Sequence, residues 1–192
     1  YSSSTGNPYY QSGLTYNSDD QLRYYHGTNT NVPPGGTHNV VQSTYRFRDT
    51  SAWYHVVCQR DNDGNTVFYV NGTQVASGSS SSNYRYVNGT TYPHYIGNYT
   101  YQSNPDGYFH GYMADTHFVD NALVAPTVLA ETSNGVWIPI KDPDVSEYGD
   151  NGFRLEYKGT GTATSSGSVA NPTNIGDDSS GKNNHWAVST LT

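Results

Sequence analysis

Residues 51–75 constrain the fold more than any other stretch. They read Ser51-Ala-Trp53-Tyr54-His55-Val-Val-Cys58-Gln-Arg-Asp61-Asn-Asp63-Gly64-Asn-Thr-Val-Phe68-Tyr-Val70-Asn71-Gly72-Thr-Gln-Val75. An aromatic and β-branched run enters an Asp/Asn/Gly turn, a second run leaves it, and Asn71-Gly72 closes another turn at once. Asn-Gly accepts the positive φ angles of a two-residue hairpin loop. The block therefore predicts three antiparallel strands joined by tight turns.

The rest of the chain agrees with an all-β reading. Tyr occurs 19 times and Gly 20 times in 192 residues, and only 13% of residues are charged. Strand candidates recur at Gln21–Tyr25, Asn39–Phe47, Tyr92–Tyr99 and Phe153–Tyr157, with a long, partly alternating run from Tyr108 to Asn121. The first 20 residues show little periodicity. Loops are expected at Asn31–Thr37, Ser77–Ser82 and 159–176, and a turn at Ser103–Gly107. Ala125–Glu131 is expected to hold one helical turn with Pro126 near its start. Eight or more short strands with frequent turn signals predict a two-sheet antiparallel sandwich or barrel with at most one or two short helical turns. One domain over residues 1–192 is expected, its segment 159–192 forming a C-terminal loop and closing strand.

Composition excludes some partners. The net charge is −7 with nine Lys plus Arg, and no basic run offers a nucleic-acid footprint. No stretch approaches the ~20 apolar residues of a membrane helix, so no membrane insertion is expected. The chain begins at Tyr1 without a leader pattern, which is read as a processed or truncated start. The single cysteine, Cys58, sits in an apolar strand run and is expected to act as a small buried hydrophobe.

Three groups of residues resemble the laminin-G-like branch of the concanavalin A-like lectin/glucanase superfamily. The first is Trp53-Tyr54-His55-Val56-Val57 followed by Phe68-Tyr69-Val70-Asn71-Gly72. The second is Tyr95-Ile96-Gly97, then Phe109 to Asp115, then Asp120-Asn-Ala-Leu123. The third is Asp178-Ser-Ser180-Gly181-Lys-Asn183-Asn184-His185. With Arg48-Asp49-Thr-Ser51-Ala-Trp53-Tyr-His55 and Gly135-Val136-Trp137, the order is similar to that of modules in tailed-phage virion proteins. The resemblance runs from about residue 45 to the end. It departs from the family in lacking a Trp-rich opening strand, which suits an excerpt of a longer virion protein or a strand supplied by another segment. It implies a jelly-roll β-sandwich and a virion-surface module on a tail fibre, head fibre or capsid decoration. Other virion subunits, further copies of the chain and host surface glycans would be the partners. A purely architectural virion protein and a secreted or cell-surface lectin or adhesin domain stand as alternatives.

Catalysis has little support in the residues. Glycoside hydrolysis needs two facing carboxylates, yet none of Glu131, Glu147 and Glu156 has an acidic residue two positions away. Asp61/Asp63 and Asp142/Asp144 have that spacing but sit in turn-like sequence. No Gly-x-Ser-x-Gly or His-Glu-x-x-His occurs, and the seven histidines are scattered. His55 reads as structural; His110 and His117 flank the Gly111–Asp115 segment. No cofactor is required. Asp177, Asp178, Ser180, Asn183 and Asn184 supply the oxygens calcium favours, and equally read as an Asx-rich turn held by its own side chains. Tyr84, Tyr86, Tyr92, Tyr99, Tyr101 and Tyr108 lie among Asn/Ser/Gly loops and are the glycan-binding candidates, since Tyr offers a rigid apolar face and a hydroxyl. The alternative for them is packing against a sheet. The sequons at Asn71, Asn88 and Asn98 are read as coincidental in Asn/Thr-rich sequence.

Overall fold

A computed structural model describes residues 2–3, 9–29, 37–79, 94–101, 104–106, 108–159 and 174–188. The chain divides into two compact units, one of Tyr1–His110 with Ala125–Pro143, the other of Gly111–Val124 with Asp144–Thr192.

The first unit is built on two antiparallel sheets. One contains β1 (Ser2–Ser3), β2 (Tyr9–Tyr16), β3 (Gln21–Asn29) and β4 (Thr37–Arg46), hydrogen-bonded in that order. The other is the meander β5 (Val56–Arg60), β6 (Asn65–Val70) and β7 (Thr73–Ser79). The three-strand reading of residues 53–75 holds. Asn71 at φ 49° and Gly72 at φ 76° make the turn that reverses β6 into β7. Asp61 turns β5 into β6: its Oδ1 accepts the amides of Asp63 and Asn65, and its Oδ2 accepts Asn65 Nδ2. Asp61 and Asp63 are thus turn residues.

Strand alternation decides which residues meet between the sheets. Thr66, Phe68 and Val70 point inward from β6. Phe68 and Val70 meet Leu22 and Tyr24 of β3 and Val41 of β4, with Phe47, Tyr54, Val56, Cys58, Val75 and Ala76 closing the cluster. Phe68 is fully buried, so truncation to Ala would cost about 3–5 kcal/mol. Arg60 lies over the Tyr24 ring and donates to the Gly64 carbonyl and Thr66 Oγ1, which satisfies the buried hydroxyl. Between β3 and β4 the register slips after Gln21. Ser43 fills that irregularity: its Oγ accepts the Leu22 amide and donates to the Tyr45 carbonyl.

Smaller elements complete this unit. β8 (Tyr99–Tyr101) pairs with β9 (Asn104–Asp106). Helix α1 (Pro126–Leu129) has Pro126 in its first turn, where the missing N–H costs nothing. β11 (Ala130–Ser133) and β12 (Val136–Pro139) form a hairpin across Asn134-Gly135. In the second unit β10 (Thr116–Phe118) pairs with β13 (Phe153–Leu155). Its core stacks Phe118 on Phe153, with Trp186 edge-on to Phe153 and Leu155 buried.

Several boundaries differ from expectation. β2 occupies sequence read as aperiodic. β3 runs past Tyr25 to Asn29. Ser77–Ser79 continue β7 rather than opening a loop, because they pair with Asn65–Val67. Asn104–Asp106 is a strand where a turn was expected. Residues 95–98 form no strand, since Gly97 bends the chain at φ 85°. Only Thr116–Phe118 of the Tyr108–Asn121 run is a strand. Residues 174–188 make bridges, one of them Leu155↔Asp178, and no strand. Most of the expected loops at 31–37 and 159–176 lie outside the described residues. No described helix is long and apolar enough to cross a membrane.

Candidate functional site

At the end of the first sheet where β2 turns into β3, aromatic residues gather. The turn is held by Asn17, whose Oδ1 accepts the amides of Asp19 and Gln21. The Phe47 amide donates to the Asp20 carbonyl, bringing the end of β4 alongside. Tyr16 then meets Phe47 edge-on at 6.2 Å, and Phe47 meets Tyr54 edge-on at 5.4 Å. Burial pushes the Tyr16 hydroxyl above its ordinary pKa, with Tyr54 adding to the shift. Phe47 and Tyr54 are anchored on the core, whereas Tyr16, Tyr45 and Trp53 are 41%, 58% and 66% exposed. Trp53 follows an ordered turn: Asp49 Oδ1 accepts both the amide and the hydroxyl of Ser51, and the Ala52 amide bonds to the Asp49 carbonyl. Two ion pairs edge the same strands, Arg48 with Asp20 at 2.7 Å and Arg46 with Asp19 at 3.7 Å. An exposed indole that follows a fixed turn suits a shallow ligand that stacks.

Three motifs noted in sequence meet nearby. His55 exchanges backbone bonds with Asn71: its amide donates to Asn71 Oδ1, and its carbonyl accepts the Asn71 amide. The Trp137 indole Nε1–H donates to His55 Nδ1 at 3.0 Å. The same indole lies over Gly72, where a Cβ would fall 2.8 Å from Trp137 Cη2. His55 is thus structural, as expected, and Gly72 is required by the approach of the ring as well as by its turn.

The second unit holds a chain of charged and polar groups. Register places His117 of β10 opposite Arg154 of β13. Arg154 grips Asp115 with Nε on Oδ1 at 2.9 Å and Nη2 on Oδ2 at 3.1 Å. His117 Nε2 reaches Asp115 Oδ1 at 3.1 Å, and its Nδ1 meets the Tyr148 hydroxyl at 2.8 Å. Burial raises the Asp115 carboxyl, but the hydrogen bonds and charges of His117 and Arg154 outweigh it and hold the group well below the usual carboxylate range. The Tyr148 hydroxyl is pushed above its ordinary pKa by burial. Tyr148 is itself buried, and the chain of groups ties β10 to β13.

The Asp177–Asn184 loop is organised from within. Asp178 is buried; its Oδ1 accepts the amides of Arg154 and Ser180, and its Oδ2 accepts the amide of Asn184. Ser180 Oγ accepts the Lys182 amide, and Asn184 Nδ2 donates to the carbonyls of Asp150 and Gly152. Asn183 adopts φ 62°, and Asp177 Oδ1 lies 3.0 Å from His185 Nδ1. Among the described residues no group of three or more His, Cys, Asp or Glu is arranged to hold a metal.

Of the expected glycan-contacting tyrosines, Tyr84, Tyr86 and Tyr92 lie outside the described residues. Tyr99 and Tyr101 belong to β8, their side chains also outside the description. Tyr108 is exposed. The exposed Tyr16, Tyr45 and Trp53 escaped the sequence reading as contact residues. Trp53 was readable, since it precedes β5 and stands outside its alternation.

A laminin G family model, described as the concanavalin A-like lectin/glucanases superfamily, matches residues 1–129, two thirds of the chain. The chain belongs to the concanavalin A-like lectin/glucanases superfamily. The match takes in residues 1–44, where no resemblance was read, and stops before Trp137 and the Asp178 loop. No curated protein and no solved structure matches the chain. The almost wholly antiparallel β structure is that of a concanavalin A-like sandwich. The superfamily's name covers both sugar binders and glucan-cleaving enzymes, and cleavage needs a carboxylic acid kept protonated near neutral pH. Five described carboxyls are shifted, all downward: Asp49 by Ser51, Asp61 by Asn65, Glu147 by Lys182, Glu156 by Lys158, and Asp115 as above.

Proposed function

We propose that this chain is a non-enzymatic adhesion module that contacts surface glycans through the aromatic rim of Tyr16, Tyr45 and Trp53. The observation that carries the reading is Trp53, two-thirds exposed yet seated after a turn locked by Asp49. An exposed indole loses little freedom on stacking against a sugar face when its backbone is already ordered. The downward shifts of the carboxyls support binding over cleavage, since each favours the ionised form. The virion setting of the proposal rests on the order of motifs from Arg48 to Gly181. In such a setting many copies act together, and simultaneous engagement raises avidity by ~10²–10⁴.

A glycan array probed with the chain and with Trp53→Ala tests this, each with and without added calcium. Binding that is lost in Trp53→Ala is the expected result. Absence of binding under all conditions would favour the architectural alternative. Release of reducing ends from a bound polysaccharide would overturn the non-enzymatic part.

A further inference from the structure

The sequence holds four Asn-Gly pairs, and three of them, Asn71-Gly72, Asn134-Gly135 and Asn151-Gly152, lie among the described residues. Each sets a nucleophile beside an electrophile. The glycine amide nitrogen follows the asparagine side-chain carbonyl carbon directly in the chain, and no Cβ shields it. The fold treats the three pairs differently. Asn71 is tied down: its Oδ1 accepts the His55 amide at 2.9 Å, its own amide donates to the His55 carbonyl, and the Trp137 indole lies over Gly72. Asn151 Nδ2 donates to Asp120 Oδ2 at 3.0 Å, and Gly152 is buried where a Cβ would overlap the Tyr148 carbonyl. Asn134 is exposed, and among the described residues no hydrogen bond holds its side chain. Gly135 opens onto space, with nothing within 4 Å of an added Cβ. The two hairpin turns otherwise share one backbone, with φ 49° at both asparagines and φ 76° and 78° at the glycines. We infer that Asn134-Gly135 is a self-modification site, at which the chain deamidates through a cyclic imide.

The step balances with water alone. The Gly135 nitrogen bonds to Asn134 Cγ, the Cγ–Nδ2 bond breaks, and Nδ2 departs as ammonia with the proton that the Gly135 nitrogen gives up. Water then opens the imide. Opening at Cγ leaves aspartate; opening at the main-chain carbonyl leaves isoaspartate, whose chain runs through Cβ and Cγ. Water enters, ammonia leaves, and nothing is oxidised or reduced. The tip closes a ladder of four residues on each side, with Val136 exposed beside it, so it opens locally at small cost. Either product adds a negative charge at the hairpin tip. Isoaspartate also adds a methylene to the main chain of a two-residue loop, which no longer suits the pairing of Ser133 with Val136.

Incubation of the native full chain at pH 8, followed by proteolysis and peptide mass spectrometry, measures conversion at each pair. A sample unfolded in guanidinium gives the intrinsic rate of each, and the native rates are divided by these. On that scale Asn134 is expected to lead Asn71 and Asn151 by roughly fivefold or more, the factor carried by one hydrogen bond that must break before attack. Isoaspartate at position 134, told from aspartate by its fragment ions, is the expected companion product. A smaller lead would overturn the inference, because the tether would then not set the rate. So would an Asn134 that stays an amide in the native chain while the unfolded chain converts. The comparison is made within one wild-type molecule and depends on no variant.

Discussion

Replacing Gly72 by Ala separates the indole contact from ordinary turn strain when compared with Gly135→Ala. Both glycines close Asn-Gly turns at nearly the same left-handed angle, φ 76° and φ 78°. Both variants incur about 1–2 kcal/mol for an L-residue in that region, and both recover about 0.4–1 kcal/mol from a less flexible unfolded chain. They differ in space. At Gly135 an added Cβ meets nothing within 4 Å, whereas at Gly72 it falls 2.8–3.0 Å from three carbons of Trp137. Ordinary carbon contacts lie near ~3.5–4.0 Å, so the indole must retreat by roughly 0.7 Å or more. Its bond to His55, 3.0 Å long, does not survive a shift of that size along the bond. The lost hydrogen bond adds about 1 kcal/mol, and dispersion loss adds to it. Gly135→Ala should cost about 0.5–1 kcal/mol, and Gly72→Ala about 2 kcal/mol or more. Urea denaturation of both variants, analysed at a common slope, measures the difference. Equal losses within about 0.5 kcal/mol would mean that the indole does not rest on Gly72.

Other expectations follow from the same geometry. Asp115→Asn removes the bidentate partner of Arg154 and should cost about 2 kcal/mol at neutral pH, measured by urea denaturation. Because the folded-state pKa of Asp115 is depressed, its stabilisation is present above the ordinary Asp range near pH ~4 and fades as the pH falls below it. Wild type should therefore lose stability more steeply than Asp115→Asn between about pH 4 and pH 2. Burial pushes the Cys58 thiol up to about 12, against an opposing pull from Arg60. A thiol reagent at pH 8 should leave Cys58 unmodified in the native chain and label it at once in urea. Ser43→Ala orphans the Leu22 amide at the register slip and should lower stability by about 1–2 kcal/mol in the same denaturation assay.

The meander at β5–β7 was legible because two local signals agreed: residues alternate with period two, and Asn-Gly sits where the chain must reverse. β2 was not legible because its inward positions include Ser12, a polar residue buried completely, beside Leu14 and Tyr16, which stay partly exposed. The apolar alternation that marks a strand is therefore blurred. The β11–β12 hairpin carried its own Asn134-Gly135 signal, and only its first two residues, Ala130 and Glu131, fell inside the helical turn expected at Ala125–Glu131, which is α1 at Pro126–Leu129. The bond between Trp137 and His55 lay beyond local reading. His55 and Trp137 stand 82 positions apart, and only the folded hairpin brings the indole to the imidazole. The tyrosines chosen by loop composition fell largely outside the described residues. The rim at Tyr16, Tyr45 and Trp53 depends on where strands end, which periodicity places least well.

Calorimetric titration of the best-bound oligosaccharide into the wild type and Trp53→Ala tests the adhesion reading most directly. The stacking account predicts saturable binding by the wild type, weakened about tenfold or more in Trp53→Ala at unchanged thermal stability. Equal affinity of the two proteins would contradict it.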